Sequence, residues 1–195
     1  MYLIINNSFK NINPKAFPKL IEYFTKKKLK FKVINTRTEL IKYITHKKNI
    51  KGLILSGSDL SYSDDFCHDM IDINILALLE FQVPILGICF GFQTIGLFYG
   101  GTINKLKNLN NDKKQVNLYK NELFENITNN IFHQFHQDYL VDIPPNFKIL
   151  AKEKKIINAI KHNDKPIYGV QFHPELSSNN GIKLLDNFIN ICINY

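Results

Sequence analysis

The sequence contains no tryptophan, two methionines and a single arginine, Arg37, so lysine supplies nearly all of its positive charge. Arginine is the residue that most often makes forked contacts to phosphates and bases in nucleic-acid sites. The formal net charge of +8 at pH 7 therefore indicates a solvated, lysine-rich surface, including residues 26–28 and 152–155. We expect no nucleic-acid partner, although such a surface would suit an acidic protein or an anionic substrate.

The chain also lacks patterned cysteines and any apolar run long enough to cross a membrane. Its three cysteines follow no disulfide or metal spacing, and no charged segment followed by an apolar stretch opens the sequence. These absences favour a reducing, cytoplasmic location without membrane attachment. With 195 residues, 45% of them hydrophobic, the sequence predicts a single domain over residues 1–195 with a sizeable core.

One cysteine, Cys89, follows an apolar run and stands between two glycines in Gly87-Ile-Cys-Phe-Gly91. This pattern is typical of a nucleophile elbow, a sharp strand-to-helix turn that carries a reactive side chain. Glycine is needed on both sides because a Cβ atom there would collide with neighbouring backbone. The turn leaves the sulfur at a helix N-terminus, whose free N–H groups favour thiolate over thiol. Cys67 and Cys192 have no such setting and are predicted to be structural thiols.

A candidate proton acceptor for this thiol lies near the end of the chain, in Gly169-Val-Gln-Phe-His-Pro-Glu175. Residues 167–172 are predicted to form a buried strand that ends at His173, and Pro174 stops regular pairing. In an extended chain Glu175 lies on the same side as His173, where its carboxylate can orient the imidazole and stabilise the cation. The sequence therefore predicts a triad of Cys89, His173 and Glu175.

Strands alternate with helices over the first half of the chain. Strands are predicted at residues 2–6, 29–35, 52–56 and 84–89, and helices at residues 16–28, 38–46, 70–81 and 90–99. This alternation predicts an α/β fold whose parallel sheet is covered by helices on both faces. The second half is predicted to contain a polar loop with a short strand at residues 100–120, then mostly antiparallel strands at residues 139–141, 147–151, 156–161 and 167–172. A helix at residues 181–193 is expected to follow.

Two further segments carry polar groups that would serve such a site. The loop Ser56-Gly-Ser-Asp-Leu-Ser61 is interpreted either as a source of backbone N–H groups for an oxyanion or as a plain surface turn. The segment His133-Gln-Phe-His-Gln-Asp138 offers too few ligands of suitable spacing for zinc or iron. We therefore expect neither a metal nor another cofactor.

Together these segments resemble the class I, triad-type glutamine amidotransferases, and among them the glutaminase subunits and domains of GMP synthetases. The likeness extends over nearly all 195 residues. It is most specific in Pro84-Ile-Leu-Gly-Ile-Cys-Phe-Gly-Phe-Gln93 and in Ile167-Tyr-Gly-Val-Gln-Phe-His-Pro-Glu175. The resemblance implies a flavodoxin-like α/β fold with a parallel or mixed sheet flanked by helices.

The resemblance also implies roles for individual residues. Cys89 attacks the side-chain amide carbon of L-glutamine, His173 transfers protons around a γ-glutamyl thioester, and Glu175 orients the imidazole. The backbone N–H groups of Ser58 and Phe90 hold the oxyanion. The residues implied to bind glutamine or to line its site are Gly57, Gln93, His136 and Asp138. The ammonia goes to a separate synthetase chain, an ATP pyrophosphatase of the GMP synthetase type.

Three departures from the family pattern leave other functions open. Asn7-Ser-Phe9 follows the opening strand in place of a glycine-rich sequence. Ser58 stands where the family has a second glycine, which implies a low basal activity. Ser177-Ser-Asn-Asn180 replaces a His-Thr element in the region where coupling to the synthetase is expected. A hydrolase that acts alone on γ-glutamyl peptides or amides, and a catalytically silent regulatory paralogue, are the alternatives.

Overall fold

The computed structural model describes residues 1–8, 16–45, 49–62 and 67–195, which form ten strands and five α-helices. The strands are β1 (Tyr2–Ile5), β2 (Phe31–Ile34), β3 (Gly52–Leu55), β4 (Ile85–Ile88), β5 (Ile103–Gln115), β6 (Asn117–Leu118), β7 (Ile131–Leu140), β8 (Phe147–Glu153), β9 (Ile156–His162) and β10 (Ile167–Val170). The helices are α1 (Ala16–Lys26), α2 (Arg37–Ile44), α3 (His68–Glu80), α4 (Phe90–Phe98) and α5 (Ser178–Asn194).

Eight strands form a central sheet in the order β2-β1-β3-β4-β10-β9-β8-β6. The first five strands in this order are parallel to one another, whereas β9, β8 and β6 pair antiparallel. The predicted α/β fold with a mixed sheet is therefore confirmed. β4 lies between β3 and β10, and Ile88 pairs with Val170, so distant parts of the sequence meet at the centre of the sheet.

Helices cover both faces of the sheet. Successive side chains of a strand point to opposite faces, so neighbouring residues of one strand belong to different cores. Ile4 of β1 belongs to the core that includes Leu20 of α1 and Phe188 of α5. Its neighbour Leu3 belongs to the core on the other face, with Leu40 of α2. Burying each such side chain contributes about 1.5–3 kcal/mol to stability. Parallel strands covered in this way place their carboxyl ends along one edge, where the functional candidates lie.

The prediction of a long polar loop over residues 100–120 is wrong. Residues 103–115 form β5, which pairs antiparallel with β7 in a separate two-stranded ribbon. Most β5 side chains are exposed, so the segment shows no apolar alternation. The pairing shifts between Lys105 and Asn110, and the intervening residues bulge toward a cavity beside Cys89.

Element boundaries in the second half also differ from the prediction. The strand predicted at residues 139–141 begins at Ile131, and the final helix begins at Ser178 after a 3₁₀ turn, Pro174–Leu176. The antiparallel strands near residues 147–151 and 156–161 are confirmed as β8 and β9. The helix predicted at residues 38–46 is α2, and His46 lies outside the described residues.

The surface lysines are partly paired with carboxylates. Lys26 lies 2.5 Å from a carboxylate oxygen of Glu22, and Lys27 lies 2.7 Å from one of Asp186. Within the described ranges, no helix combines the length and the apolar character needed to cross a lipid bilayer.

Candidate active site

Cys89 joins β4 to α4 in a backbone conformation that residues with a side chain rarely adopt, with φ 50° and ψ −101°. A Cβ at Gly87 would lie 2.6 Å from the carbonyl of Gly91, and one at Gly91 would lie 2.2 Å from the carbonyl oxygen of Leu55. The expected collision of a Cβ with backbone is therefore confirmed. The backbone N–H of Cys89 donates to Val170 at 2.8 Å, which ties the turn to β10. Such strained residues cluster at functional sites.

His173 follows β10 and lies beside this turn. Its backbone N–H donates to the carbonyl of His133 on β7 at 2.9 Å, and the 3₁₀ turn begins immediately after it. The turn places Glu175 so that Oε1 lies 2.8 Å from Nδ1 of His173, and both side chains are 2% exposed. The carboxylate favours a proton on Nδ1 and leaves Nε2 for proton exchange.

The pKa of His173 is raised well above its usual value of 6.5. Burial lowers this pKa, but the charges of Glu175 and Cys89 and hydrogen bonding with these two side chains together raise it by more. Both His173 and Cys89 pack against Gly57, where an added Cβ would lie 2.8 Å from Cε1 of the imidazole and 3.5 Å from the cysteine Cβ. Neither Nε2 of His173 nor Oε2 of Glu175 makes a well-aligned hydrogen bond within the described part of the chain. The structure thus brings the three predicted side chains together and favours an imidazolium.

A cavity of about 250 Å³ opens beside the sulfur. Its walls are the loop after β3 (residues 58–61), Cys89, Gln93 and the ribbon side chains at positions 105, 109 and 135–138. The lining includes Lys105 with Asp59 and Asp138, so charges of both signs surround the space.

Ser58 and Phe90, the predicted oxyanion donors, both lie near Cys89. Phe90 is the first residue of α4 and follows Cys89 directly, while Ser58 lines the cavity with Cys89. The hydroxyl of Ser58 accepts a hydrogen bond from the N–H of Leu60 at 3.1 Å and lies 3.7 Å from the sulfur of Met70. The serine side chain, which replaces the family's glycine, therefore bonds within its own loop and lies against Met70 of α3.

The loop after β3 is held over the elbow by Asp138 and Tyr62. Oδ2 of Asp138 accepts from the hydroxyl of Ser61 at 2.6 Å and from the N–H of Tyr62 at 3.0 Å. The Tyr62 ring stacks on Phe90 with the centroids 4.7 Å apart, and its hydroxyl bonds with Thr94. The carboxylate of Asp138 therefore connects β7 to this loop.

His136 and Gln93 are buried in the cavity wall and share one acceptor. The carbonyl oxygen of Asp138 lies 3.0 Å from Nδ1 of His136 and 2.8 Å from Nε2 of Gln93. Nε2 of His136 lies 3.2 Å from the amide nitrogen of Asn110 and 3.2 Å from the amide oxygen of Gln134. Burial lowers the pKa of His136 to about 4, so its imidazole is neutral at pH 7.

Gln171 contacts the sulfur, although this residue was not predicted from the sequence. Its side chain is fully buried, and Nε2 lies 3.6 Å from Sγ of Cys89. Gln171 stands two residues before His173, as Glu175 stands two residues after it. The two-residue spacing that indicated a contact between His173 and Glu175 could therefore also have indicated that Gln171 faces the site. The contacts of Asp138 with the loop had no comparable signal, because they join segments far apart in sequence.

The histidines of the segment at residues 133–138 do not converge. His133 and His136 belong to opposite faces of β7, as three-residue spacing on a strand requires. Among the described residues, no group of three or more His, Cys, Asp or Glu side chains is arranged to hold a metal ion.

Cys67 and Cys192 are buried thiols. Cys192 of α5 packs against Gly52, where an added Cβ would lie 2.5 Å from the sulfur. Burial raises the pKa of the Cys192 thiol to about 12, so it stays protonated and unreactive at pH 7.

The family model of class-I glutamine amidotransferases matches residues 15–192, nearly the whole chain. The chain belongs to the class-I glutamine amidotransferases. This amidotransferase is similar to a GMP synthase (glutamine-hydrolyzing) subunit of Methanococcus aeolicus, with 35% identity over 196 residues, covering 98% of this chain and 97% of the relative.

Two further comparisons concern length and fold. GMP synthase (glutamine-hydrolyzing) of Spiroplasma kunkelii is 39% identical over 163 residues, which cover 81% of this amidotransferase but 30% of that longer protein. A crystal structure of a candidate GMP synthase subunit from Thermoplasma acidophilum matches with a TM-score of 0.84 and 24% identity. It covers 100% of this chain and 94% of its own, and supports the amidotransferase fold.

Proposed function

We propose that this amidotransferase is the glutamine-hydrolysing subunit of a two-chain GMP synthase, which releases ammonia from L-glutamine for a synthetase on a separate chain. The observation that carries the proposal is the buried His173–Glu175 pair beside Cys89 at the wall of the cavity. Similarity to the GMP synthase subunit of M. aeolicus over 98% of the chain supports the same function.

The first half of the reaction forms a thioester. Cys89 gives its proton to Nε2 of His173, and the sulfur attacks the γ-carboxamide carbon of glutamine. The oxyanion accepts hydrogen bonds from the backbone N–H groups of Ser58 and Phe90. His173 then donates its proton to the leaving nitrogen, the C–N bond breaks, and ammonia departs from the γ-glutamyl thioester.

The second half hydrolyses the thioester. His173 takes a proton from water, the hydroxide attacks the thioester carbon, and the C–S bond breaks to release glutamate. Glu175 stabilises the imidazolium in both halves, an arrangement supported by the raised pKa of His173. These steps consume only water and glutamine, and none of them is routed through a metal or another cofactor.

The substrate occupies the cavity beside the sulfur. Its lining carries charges of both signs, which suits the ammonium and carboxylate groups of a free amino acid. Gly57, Gln93, His136 and Asp138 shape the site, and the last three are joined through the carbonyl of Asp138. In this proposal Gln93 and His136 act through that buried network as much as through direct contact with glutamine.

The partner is an ATP pyrophosphatase chain of the GMP synthetase type. The match covers 30% of the longer S. kunkelii protein. In this proposal a separate chain supplies the activity of the remaining part of such a longer protein. Ammonia released without an acceptor is wasted, so we expect partner docking to raise turnover. The segments expected to meet the partner are residues 177–180 and 133–138, which the backbone bond between His133 and His173 brings beside the site.

Glutamine turnover by the purified chain, with and without the cognate ATP pyrophosphatase, tests this proposal. We expect the partner to raise turnover by about 5–150-fold, the usual range of coupling between sites. A diazo-ketone analogue of glutamine should label Cys89, and Cys89→Ser should remove activity, because a serine hydroxyl is not ionised at neutral pH. Cys192→Ala is the matched control, since that buried thiol should contribute nothing to turnover.

The two alternatives give different results. Rapid cleavage of γ-glutamyl peptides by the chain alone, with no gain from any partner, would replace the proposal with a γ-glutamyl hydrolase. Absence of label on Cys89 in a folded chain with its partner present would instead support a silent regulatory paralogue.

A further inference from the structure

The sulfur of Cys89 has two polar neighbours of hydrogen-bonding geometry in the part of the chain that the structure describes. The backbone carbonyl of Phe135 on β7 and the side-chain nitrogen of Gln171 each lie 3.6 Å from Sγ. A carbonyl oxygen only accepts, so the Phe135 contact requires the protonated thiol. An amide N–H only donates, and it bonds an anion more strongly than a neutral acceptor. The two contacts therefore favour opposite protonation states of one atom.

We propose that Gln171 is a positioning residue that stabilises the Cys89 thiolate by donating its Nε2–H to the sulfur, a role that rests on the proposed glutamine hydrolysis. When the thiol proton passes to Nε2 of His173, the bond to the Phe135 carbonyl is lost. The bond from Gln171 remains and strengthens, because the sulfur now carries the charge. The thiolate is then held on the β10 side of the elbow.

The orientation of the Gln171 amide is fixed by a chain of bonds that ends on backbone. The carbonyl oxygen of Asp138 only accepts, so the Gln93 atom 2.8 Å away must be the amide nitrogen. That nitrogen also lies 3.3 Å from the side chain of Gln171, whose atom there must be the oxygen. The other end of the Gln171 amide, which faces the sulfur, is therefore the nitrogen. A flipped amide would leave two donors face to face at Gln93.

The contact between Gln171 and the sulfur is buried, which raises the cost of losing it. The Gln171 side chain has no exposed surface, and its backbone N–H donates to Asn158 at 2.8 Å. A buried donor without an acceptor costs about 1–3 kcal/mol, so the position of the Gln171 amide depends on the partners that it bonds. With Oε1 bonded to Gln93, the sulfur is the partner of Nε2 within residues 1–8, 16–45, 49–62 and 67–195.

The test follows the pH at which Cys89 becomes reactive, with no substrate present. The full chain is alkylated with iodoacetamide between pH 5 and 10, and peptide mass spectrometry records the rate at Cys89. We expect Gln171→Met, which keeps the volume but removes the donor, to move the midpoint of this profile up by about one to two pH units. Gln171→Asn retracts the amide by one methylene and should move the alkylation midpoint in the same direction. This variant keeps a polar side chain and serves if the methionine variant does not fold.

Gln134→Met is the matched control. Gln134 is also a fully buried glutamine, but its Nε2 donates to Asn158 at 3.0 Å and not to the sulfur. The same substitution there should lower the free energy of unfolding without moving the alkylation midpoint. A merely structural role for Gln171 would give both variants the same profile as the wild type.

A midpoint within about 0.3 pH units of wild type in a folded Gln171 variant would overturn the proposal, since a charged hydrogen bond is worth more than that. This result is independent of the proposed function. A chain that never hydrolyses glutamine can still show the shift, and an active glutaminase can fail to show it.

Discussion

At the scale of single residues, the His173–Glu175 pair predicts unequal effects of two substitutions. His173→Asn removes the group that carries protons in both halves of the reaction, so we expect kcat to fall by at least about 10²–10⁴-fold. Glu175→Gln keeps a proton acceptor near Nδ1 but removes the charge that raises the pKa of His173, and we expect a smaller loss. The measurement is glutamine turnover in the presence of the synthetase partner.

Both variants should retain the fold, because each replacement is close in size and keeps polar atoms in place. Circular dichroism and the unfolding midpoint check this condition. Wild-type activity in a His173 variant would remove that residue from the mechanism, and equal losses in both variants would argue against a purely orienting carboxylate.

Contacts between single residues could be predicted from the sequence where both partners lie in one short segment. The glycines around Cys89 are needed for contacts with adjacent backbone, and Glu175 reaches His173 within a single turn. The contact of Gln171 with the sulfur and the bonds of Asp138 with the loop depend on β7, β10 and α4 meeting in space. No local pattern encodes that meeting.

At the scale of elements, the loop after β3 predicts the effect of restoring the family's glycine. Ser58→Gly removes a Cβ next to the oxyanion site and also the hydroxyl that accepts from Leu60. We expect turnover to be preserved or raised, because the backbone can then approach the oxyanion more closely. This gain should outweigh the loss of the hydrogen bond from Leu60, about 0.5–1.5 kcal/mol, which water can replace. Steady-state kinetics of the complex with partner give the answer.

Ser58→Ala separates the two effects, since it removes the hydroxyl but keeps the Cβ. Higher activity in the glycine variant than in the alanine variant would support backbone approach as the cause. A collapse of turnover in a folded Ser58→Gly variant would mean that the serine side chain takes part in the reaction.

Elements were predictable where burial imposes a pattern. The strands of the central sheet are buried on both faces and appear as short apolar runs between helices, so β1, β3 and β4 were identified within about two residues at each end. β5 has mostly exposed side chains, and among the described residues β7 is its one partner strand, so nothing selects apolar residues on either face. Strand formation there depends on a partner strand that the local sequence does not reveal.

At the scale of the whole molecule, buried His136 predicts how stability depends on acid. Burial lowers its pKa in the folded chain to about 4, whereas the unfolded value is close to 6.5. Between these values the unfolded chain binds a proton that the folded chain does not, so the free energy of unfolding falls as pH decreases. The contribution is complete above pH 6.5, and roughly 3 kcal/mol of it is lost by pH 4.

Urea unfolding of wild type and His136→Asn from pH 7 to pH 4.5 measures this effect. Other titrating groups act equally on both proteins, so the difference between their curves isolates His136. We expect the variant to lose less stability on acidification. Parallel curves would mean that His136 takes up its proton equally well in the folded chain.

The overall architecture was predictable from the order of elements, because alternating strands and helices allow few arrangements. The parallel first half and the antiparallel second half were both expected. The parallel pairing of β4 with β10 was not, although the predicted triad already required the ends of these two strands to meet. That residues 1–195 form a single domain stays a prediction.

The position of β4 between β3 and β10 has a consequence for biosynthesis. A nascent chain can pair β1, β2, β3 and β4 as each strand emerges, but β4 then has a bare edge until residue 170 has been translated. Open parallel edges are sites of intermolecular pairing, and chaperones protect them during slow synthesis. A ribosome that stalls before β10 would therefore leave the thiol of Cys89 at an uncovered, aggregation-prone strand, without the histidine that accompanies it in the finished protein.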